Sequence, residues 1–367
     1  MPDKPETSLP TRTKTALRTG WTTGACATAG AVAAVRALLS GEFPTSVTIT
    51  LPQGASPTFT LSRHRSDGKI ATAGVIKDAG DDPDVTHQAE IVVTVTANDP
   101  GQGITFVAGD GVGTVTLPGL PLEVGEPAIN PVPRQMIAGN IAAVAQEFSV
   151  AADFCVTIAI PGGQKLAKKT MNGRLGIIGG LSILGTTGIV KPYSCAAWIH
   201  GIHSGIDVGR AAKLDHMIGA TGKTSEAAAL ALYNLPELAL IDMGDFVGGM
   251  LKYLRRQPVP RLTIAGGFAK ITKLGQGCMD LHSSRSRVDF AKLAALMDDL
   301  GAPGDTVENA RTANTAQRVL DLARQQKIGL ADRIAAQARE CAMATLSGDT
   351  VVEVIIFDRK GNLAGRA

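Results

Sequence analysis

A glycine-rich run over residues 172–194 limits the possible structures of this chain more than any other segment. It holds six glycines among Leu and Ile, with no charge over residues 175–190. A glycine inside a helix costs about 1 kcal/mol relative to alanine, and glycine also weakens a strand interior. The run therefore predicts buried backbone that bends sharply or is approached closely. Hydroxyls at Ser182, Thr186 and Thr187 add polar contacts, as the wall of a binding cleft requires.

Bulk composition favours a globular chain with two domains. The 367 residues exceed one ordinary core. Aromatic residues make up 4% while glycine numbers 42, which indicates a loop-rich α/β protein rather than a helical bundle. The net charge of +3 comes without long basic blocks and argues against nucleic-acid binding. The uncharged run over residues 175–190 is too short and too rich in glycine to span a bilayer, so we expect no membrane partner.

Cysteine usage and the N-terminal segment predict a cytoplasmic protein. The five cysteines are far apart and form no Cys-x-x-Cys pair, so we expect reduced thiols and no metal site. Residues 1–16 contain three prolines and no apolar stretch, which predicts a flexible arm rather than a signal peptide.

The patterning predicts an α/β fold with a domain boundary near residue 150. Residues 17–150 are expected to form an α+β domain, with one alanine-rich helix capped by Thr22 on a largely antiparallel sheet. Residues 151–367 are expected to form a three-layer αβα domain with a largely parallel sheet. Its predicted strands are Cys155–Ile160, His216–Ile218, Leu238–Ile241, Leu262–Ala265 and Val351–Phe357.

Three glycine turns in the second domain each join a strand to a helix. Parallel sheets gather such turns at one edge, where helix N-termini bind anions, and Ser225 and Asp245 are candidate substrate contacts there. The alternative is that glycine only permits a tight turn. The first turn, residues 219–225, resembles a phosphate loop with two residues too few between its glycines, which argues against a nucleoside triphosphatase.

An acidic segment, residues 77–87, follows a predicted strand. It carries four carboxylates and one imidazole. Like charges this close raise one another's pKa, so one group is expected to act as a base near neutral pH. We take Asp78, Asp81 and His87 as candidate catalytic residues. A site for a hard cation and a solvated acidic turn are the alternatives.

Two further segments carry candidate substrate contacts. Three prolines in residues 125–134 fix a rigid turn, and Arg134 then lies in the first turn of a helix, where a substrate carboxylate would suit it. An inter-domain connection is the alternative. His282 and Ser283 lie between hydroxyls and arginines and suit proton transfer or a carboxylate clamp, with a surface cap as the alternative.

Taken together, these segments resemble the cobalt-precorrin-5B C1-methyltransferase family of the anaerobic cobalamin pathway. The matching stretches are long and occur in order from the end of the arm to about residue 290. They are residues 17–26, 77–87, 125–134, 174–192 and 275–283.

The resemblance implies S-adenosyl-L-methionine as methyl donor and a tetrapyrrole as acceptor, with cobalt present only as part of that substrate. It also implies two α/β-type domains, and a cleft between them suits so wide a substrate. Residues Thr22, Thr23 and Gly24, together with Gly185, Thr186, Thr187 and Gly188, are our candidates for contact with the donor. A homo-oligomer is possible.

Two other functions remain open at this point. A nicotinamide-dependent tetrapyrrole reductase would use the glycine turns for its cofactor, although the Gly-x-Gly-x-x-Gly pattern is absent. A non-catalytic tetrapyrrole carrier would bind the macrocycle without the methyl donor.

Overall fold

A computed structural model describes residues 17–346 and 348–367. They form two compact units. Unit 1 comprises residues up to 110, 129–162 and 183–194, and unit 2 comprises residues 111–128, 163–182 and 195–367. The predicted flexible arm at residues 1–16 lies outside the described residues.

Eleven α-helices occur in the part of the chain that the structure describes. In chain order they are α1 (Thr23–Ser40), α2 (Pro131–Glu147), α3 (Gly163–Ala167), α4 (Cys195–Ala211), α5 (Lys223–Tyr233), α6 (Val247–Leu254), α7 (Phe268–Gly275), α8 (Phe290–Asp299), α9 (Gly304–Arg311), α10 (Ala316–Gln325) and α11 (Leu330–Leu346).

The same residues contain sixteen strands. In chain order they are β1 (Gly20–Trp21), β2 (Ser46–Thr48), β3 (Thr58–Thr60), β4 (Arg63–Ser66), β5 (Ile70–Ile76), β6 (Glu90–Ala97), β7 (Ile104–Ala108), β8 (Thr114–Val115), β9 (Phe154–Ala159), β10 (Ile177–Ile178), β11 (Ile189–Val190), β12 (His216–Ala220), β13 (Leu240–Asp242), β14 (Arg261–Gly267), β15 (Val351–Phe357) and β16 (Leu363–Arg366).

Unit 1 packs α1 against a five-stranded sheet with the order β4-β5-β6-β9-β7. All neighbouring strands are antiparallel except β7 and β9. Small residues let α1 lie close to the sheet: a Cβ added at Gly30 would come within 2.9 Å of the Val93 side chain. The predicted α+β layer of helix on sheet is therefore present.

Helix α1 is also the one helix, within residues 17–346 and 348–367, that is long and apolar enough to cross a membrane. In the structure 78% of this segment is buried. Burial of this extent is what a core helix shows, and the apolar composition follows from its position in unit 1.

Unit 2 is built on a five-stranded sheet with the order β13-β12-β14-β15-β16. The first three neighbouring pairs are parallel, and β16 is antiparallel to β15. Apolar side chains cover both faces: Met217 and Ile264 join the larger core, whereas Ile218 and Ala265 join a smaller core with Ala229 of α5. The predicted three-layer arrangement with a largely parallel sheet is confirmed.

The division of the chain differs from the single boundary that we predicted near residue 150. Strand β9, predicted for the second domain, lies in unit 1 between β6 and β7. The glycine-rich run is itself divided, with residues up to 182 in unit 2 and the rest in unit 1. Helices α9 and α10 are separate, and Thr315 caps the start of α10 by accepting a hydrogen bond from the Arg318 N–H.

Glu353 of β15 is the centre of a charged network inside unit 2. The residue is 8% exposed, and its carboxylate accepts hydrogen bonds from Tyr233, Arg261 and Arg366. Burial raises the pKa of Glu353, but these hydrogen bonds outweigh burial and lower the pKa to about 2. The carboxylate is therefore ionised and fully paired at neutral pH.

We expect Glu353→Gln to lower the free energy of unfolding by about 2–3 kcal/mol at pH 7. Because the folded pKa is depressed, this stabilisation is present above the unfolded pKa and is lost as pH falls towards 2. Urea unfolding at several pH values between 2 and 7 measures it, with the exposed Glu340→Gln as control. Equal pH dependence in wild type and Glu353→Gln would contradict the assignment.

Candidate functional site

The acidic segment folds into a tight corner at the end of β5, and we call residues 77–87 the acidic corner. Lys77 is 1% exposed, and its Nζ lies 2.6 Å from Asp84 Oδ2. The Thr86 hydroxyl and N–H donate to the other oxygen, Asp84 Oδ1, at 2.6 and 2.7 Å. The Asp84 carboxylate therefore neutralises a buried cation and fixes the turn.

Arg18 closes the corner from the other side. Its guanidinium forms a two-point ion pair with Asp78, in which Nη2 lies 3.0 Å from Oδ1. Its main-chain N–H donates to Asp81 Oδ2 at 2.6 Å, and the Asp81 N–H donates to the Arg18 carbonyl at 3.0 Å. The ion pair and the two hydrogen bonds together hold Arg18 against residues 78–81. Arg18 is not among the candidate site residues predicted from the sequence.

The pKa values of the corner correct one expectation. We predicted that crowding raises a carboxyl pKa towards neutrality, and for Asp78 and Asp84 this is wrong. Hydrogen bonds from the Arg18 guanidinium and the Gly80 N–H lower the pKa of Asp78 to about 2. Burial raises the pKa of Asp84, but the Lys77 charge and hydrogen bond outweigh it and lower the pKa. Arg18, which is distant in the chain, and Lys77, which begins the segment, decide the sign of these pKa shifts.

His87 presents one ring nitrogen to the corner. The Ala79 N–H donates to His87 Nδ1 at 3.1 Å, and the same nitrogen lies 3.9 Å from Asp78 Oδ1. Because Nδ1 accepts a hydrogen bond, the neutral ring carries its proton on Nε2. The half-exposed Nε2–H is therefore suited to donate to a substrate oxygen.

The N-terminus of α1 is held by the second half of the glycine-rich run. Leu184 and Thr23 hydrogen-bond reciprocally, and the Gly24 N–H donates to the Leu184 carbonyl at 3.1 Å. The Thr22 N–H donates to the Gly188 carbonyl at 3.0 Å. Gly185 has a φ of +126°, and a Cβ there would lie 2.4 Å from the Thr22 side chain. This close approach explains the glycine.

These segments meet within unit 1. Strand β1 pairs with β11, and the Trp21 N–H donates to the Asp78 carbonyl at 2.7 Å. The structure therefore brings residues 22–24, 185–188 and the acidic corner together. The predicted boundary near residue 150 placed residues 185–188 in the second domain, whereas in the structure they belong to the same unit as the acidic corner.

The hydroxyls at this junction have internal partners. Thr22 caps α1 by accepting from the Ala25 N–H at 3.2 Å, and Thr22 and Thr23 are 6% and 3% exposed. Thr187 Oγ1 donates to the Ile189 carbonyl at 3.2 Å, whereas Thr186 is exposed. Their predicted contact with the methyl donor stays a prediction, and it rests on Thr186 and on backbone groups.

Arg134 lies in the first turn of α2, as predicted. Its Nε donates to the Ile129 carbonyl at 2.7 Å, and its guanidinium lies 5.6 Å from the centre of the Phe106 ring. Its role in substrate binding stays a prediction.

Unit 2 holds the remaining candidates. Ser225 is 5% exposed and donates to the Gly222 carbonyl, and Asp245 lies 3.1 Å from Lys270 Nζ. His282 and Ser283 lie in an exposed loop after α7, where His282 Nδ1 is 2.7 Å from Ser284 Oγ. Their predicted roles are likewise proposals.

Metal ligation has little support in the part of the chain that is described. Within residues 17–346 and 348–367, no three His, Cys, Asp or Glu side chains are grouped so as to hold a metal ion. The imidazole of His203, in α4, packs against an aromatic ring instead: it stacks on Tyr253 with ring centres 3.8 Å apart.

Comparisons with known proteins match nearly the whole chain. Residues 10–192 match the CbiD family model, and residues 280–367 match the model of the CbiD C-terminal domain. A cobalt-precorrin-5B C(1)-methyltransferase from Brucella canis is 57% identical over 96% of each chain. A protein of the same name from Bradyrhizobium sp. is 59% identical over 95% of this chain and 93% of its own.

A crystal structure is also similar in sequence. The cobalamin biosynthesis protein cbiD from Archaeoglobus fulgidus is 25% identical over 85% of each chain, with a TM-score of 0.40.

Proposed function

Because this chain belongs to the CbiD family, we propose that it is a cobalt-precorrin-5B C1-methyltransferase of anaerobic cobalamin biosynthesis. The proposal rests on one observation, the similarity to proteins of that name over almost the entire length. The product is cobalt-precorrin-6A. The enzyme acts in the cytoplasm on a small-molecule substrate, the tetrapyrrole, without a nucleic-acid or membrane partner. A homo-oligomer is possible.

S-adenosyl-L-methionine supplies an electrophilic methyl group on a sulfonium sulfur. The sulfur–methyl bond breaks with its electron pair left on sulfur, and C1 of the macrocycle forms the new bond with its own pair. Such a transfer gains most from holding the two carbons in line and close, so positioning is the main task of the protein. The positive charge leaves sulfur during the transfer and develops on the macrocycle, so fixed negative charge beside the macrocycle is a second contribution.

The acidic corner supplies such fixed charge. Asp78 stays ionised at every physiological pH and is a positioning residue, because its carboxylate orients Arg18. Asp81 is exposed, and its carboxylate is oriented by the Arg18 N–H. His87 offers its Nε2–H to a substrate carboxylate or carbonyl. We propose that Asp81 and His87 contact the reacting molecules.

The test uses cobalt-precorrin-5B and a donor carrying an isotopic label in its methyl group. We expect label in the tetrapyrrole and one equivalent of S-adenosylhomocysteine. Asp81→Asn and His87→Gln are expected to lower kcat about 100-fold, whereas Asp99→Asn in the exposed turn after β6 leaves it unchanged. Tetrapyrrole binding without label transfer would favour the carrier function, and nicotinamide oxidation would favour the reductase.

A further inference from the structure

The sheet of unit 2 has a feature that ligand-binding α/β sheets share. Strand β12, the first of this sheet along the chain, lies between β13 and β14, the second and the third. The connection from β12 to β13 and the connection from β13 to β14 therefore run in opposite directions along the sheet. Ligands of open parallel sheets bind at the carboxyl ends of the strands beside such a reversal. In unit 2 this position is the edge formed by Thr221, Asp242 and Gly267.

The strand ends at this edge lie close together. A Cβ added at Gly266 would lie 2.9 Å from the Thr221 side chain, so a side chain at this position would not fit between β12 and β14. Lys270 of α7 donates its Nζ to the Thr221 carbonyl at 2.9 Å and lies 3.1 Å from Asp245 Oδ1. Helix α5 begins directly after Gly222 without a side-chain cap, so its first N–H groups are available to a ligand.

Asp242 is the acidic residue of this edge. It ends β13 next to Ala220, the last residue of β12, and follows the turn at Gly222 by about 20 residues, the spacing at which an acid binds the ribose of a bound nucleotide. Arg174 pairs with Glu226 at 3.1 Å and Lys270 pairs with Asp245. In the described residues neither cation is ion-paired with Asp242 itself.

The carboxylate of Asp242 has one main-chain partner, the Gly244 N–H, and no paired cation within the described part of the chain. Burial raises the pKa of Asp242, and the nearby Glu226 raises it further, against the smaller effects of Arg174, Lys270 and the Gly244 N–H. Hydroxyl groups of a ligand would stabilise the ionised form by donating to it.

An aromatic surface adjoins the main chain of Asp242. The Trp198 Nε1–H donates to the Asp242 carbonyl at 3.0 Å, and the indole is 47% exposed. Its ring lies 6.4 Å from that of Phe246. A half-exposed indole fixed beside a ribose-binding acid suits stacking with a purine.

We propose that this edge binds the adenosine part of S-adenosylmethionine, with the ribose hydroxyls on Asp242 and the adenine beside Trp198. The first N–H groups of α5 receive the methionine carboxylate. The inference rests on the proposed function, and it places the donor in unit 2 rather than at residues 22–24 and 185–188.

The first test is calorimetric titration of the full chain with S-adenosylhomocysteine. We expect binding by wild type and binding at least about tenfold weaker by Asp242→Asn, because a carboxylate that accepts from two hydroxyls is lost. Asp298→Asn, exposed at the end of α8, is the matched control. Thermal unfolding of Asp242→Asn should occur no lower than in wild type, since burial disfavours the ionised form.

A second test does not depend on changing the carboxylate. The chain has two tryptophans, so Trp21→Phe leaves Trp198 as the only indole. S-adenosylhomocysteine and adenosine should quench its fluorescence at the concentrations at which they bind, and inorganic phosphate should not. In Trp198→Phe the fluorescence of Trp21 should stay constant.

The outcomes separate the two proposals. If wild type binds S-adenosylhomocysteine while Asp242→Asn binds equally and Trp198 is not quenched, the site is wrong and the methyltransferase function stands. If wild type does not bind it, both proposals fail. If a nicotinamide dinucleotide binds more tightly than S-adenosylhomocysteine, the edge is a nicotinamide site and the donor assignment is overturned.

Discussion

Asp84→Ala is expected to lower the free energy of unfolding by about 3–5 kcal/mol. The change leaves the Lys77 ammonium, whose side chain is 2% exposed, without its counter-charge in the core of unit 1. It also removes the acceptor of the Thr86 hydroxyl and N–H. Urea unfolding at pH 7, followed by circular dichroism, measures the loss.

The double variant Lys77→Met, Asp84→Asn is the control for this result. Removing both charges avoids an unpaired buried ion, so most of the stability should return. If the double variant is as unstable as Asp84→Ala, the unpaired Lys77 charge is not the cause of the loss.

Gly20→Ala is expected to impair catalysis as much as the changes at Asp81 and His87. A Cβ at this position would lie 2.1 Å from the Ala79 carbonyl carbon and 2.4 Å from the Gly80 nitrogen. Both are backbone atoms, so β1 and the acidic corner must move apart by about an ångström. A misplacement of this size can cost about 100-fold in rate, and we expect that loss in kcat for methyl transfer.

Gly139→Ala provides the comparison. Gly139 lies inside α2, and a Cβ there meets no atom within 4 Å. Alanine is the better helix former, so this variant should keep full activity and gain up to about 1 kcal/mol in stability. If Gly20→Ala transfers the methyl group at the wild-type rate, the acidic corner has no part in catalysis.

The sequence predicted the elements of the fold better than their grouping. Alternation in Ile70–Ile76 and the strand–glycine–helix order after residue 215 are local patterns, and both sheets follow from them. Which sheet β9 joins depends on pairing with β6 and β7, and nothing in Phe154–Ala159 itself specifies that pairing. A change in the spacing of apolar runs and glycine turns along the chain therefore does not locate the boundary between compact units.

The candidate site was predictable in part for the same reason. Glycine density and clustered carboxylates are visible in the sequence, and they indicate residues 185–188 and 78–87, whose roles stay predictions. The cation that lowers the pKa of Asp78 was not visible, because Arg18 lies 60 residues from Asp78 in the chain. The sequence alone did not indicate Asp242, because a single acidic residue at a strand end stands out only once the strand order is known.

The placement of β9 also affects how the chain folds as it leaves the ribosome. Strand β7 has β9 as its one neighbour in the sheet, so Ile104–Ala108 stays unpaired until residues 154–158 have been made. Strand β1 waits longer still, since its partner begins at Ile189. Pairing over such distances slows folding and leaves strand edges open to other chains. Nascent chains halted before β9 are therefore the species on which we expect chaperones to act.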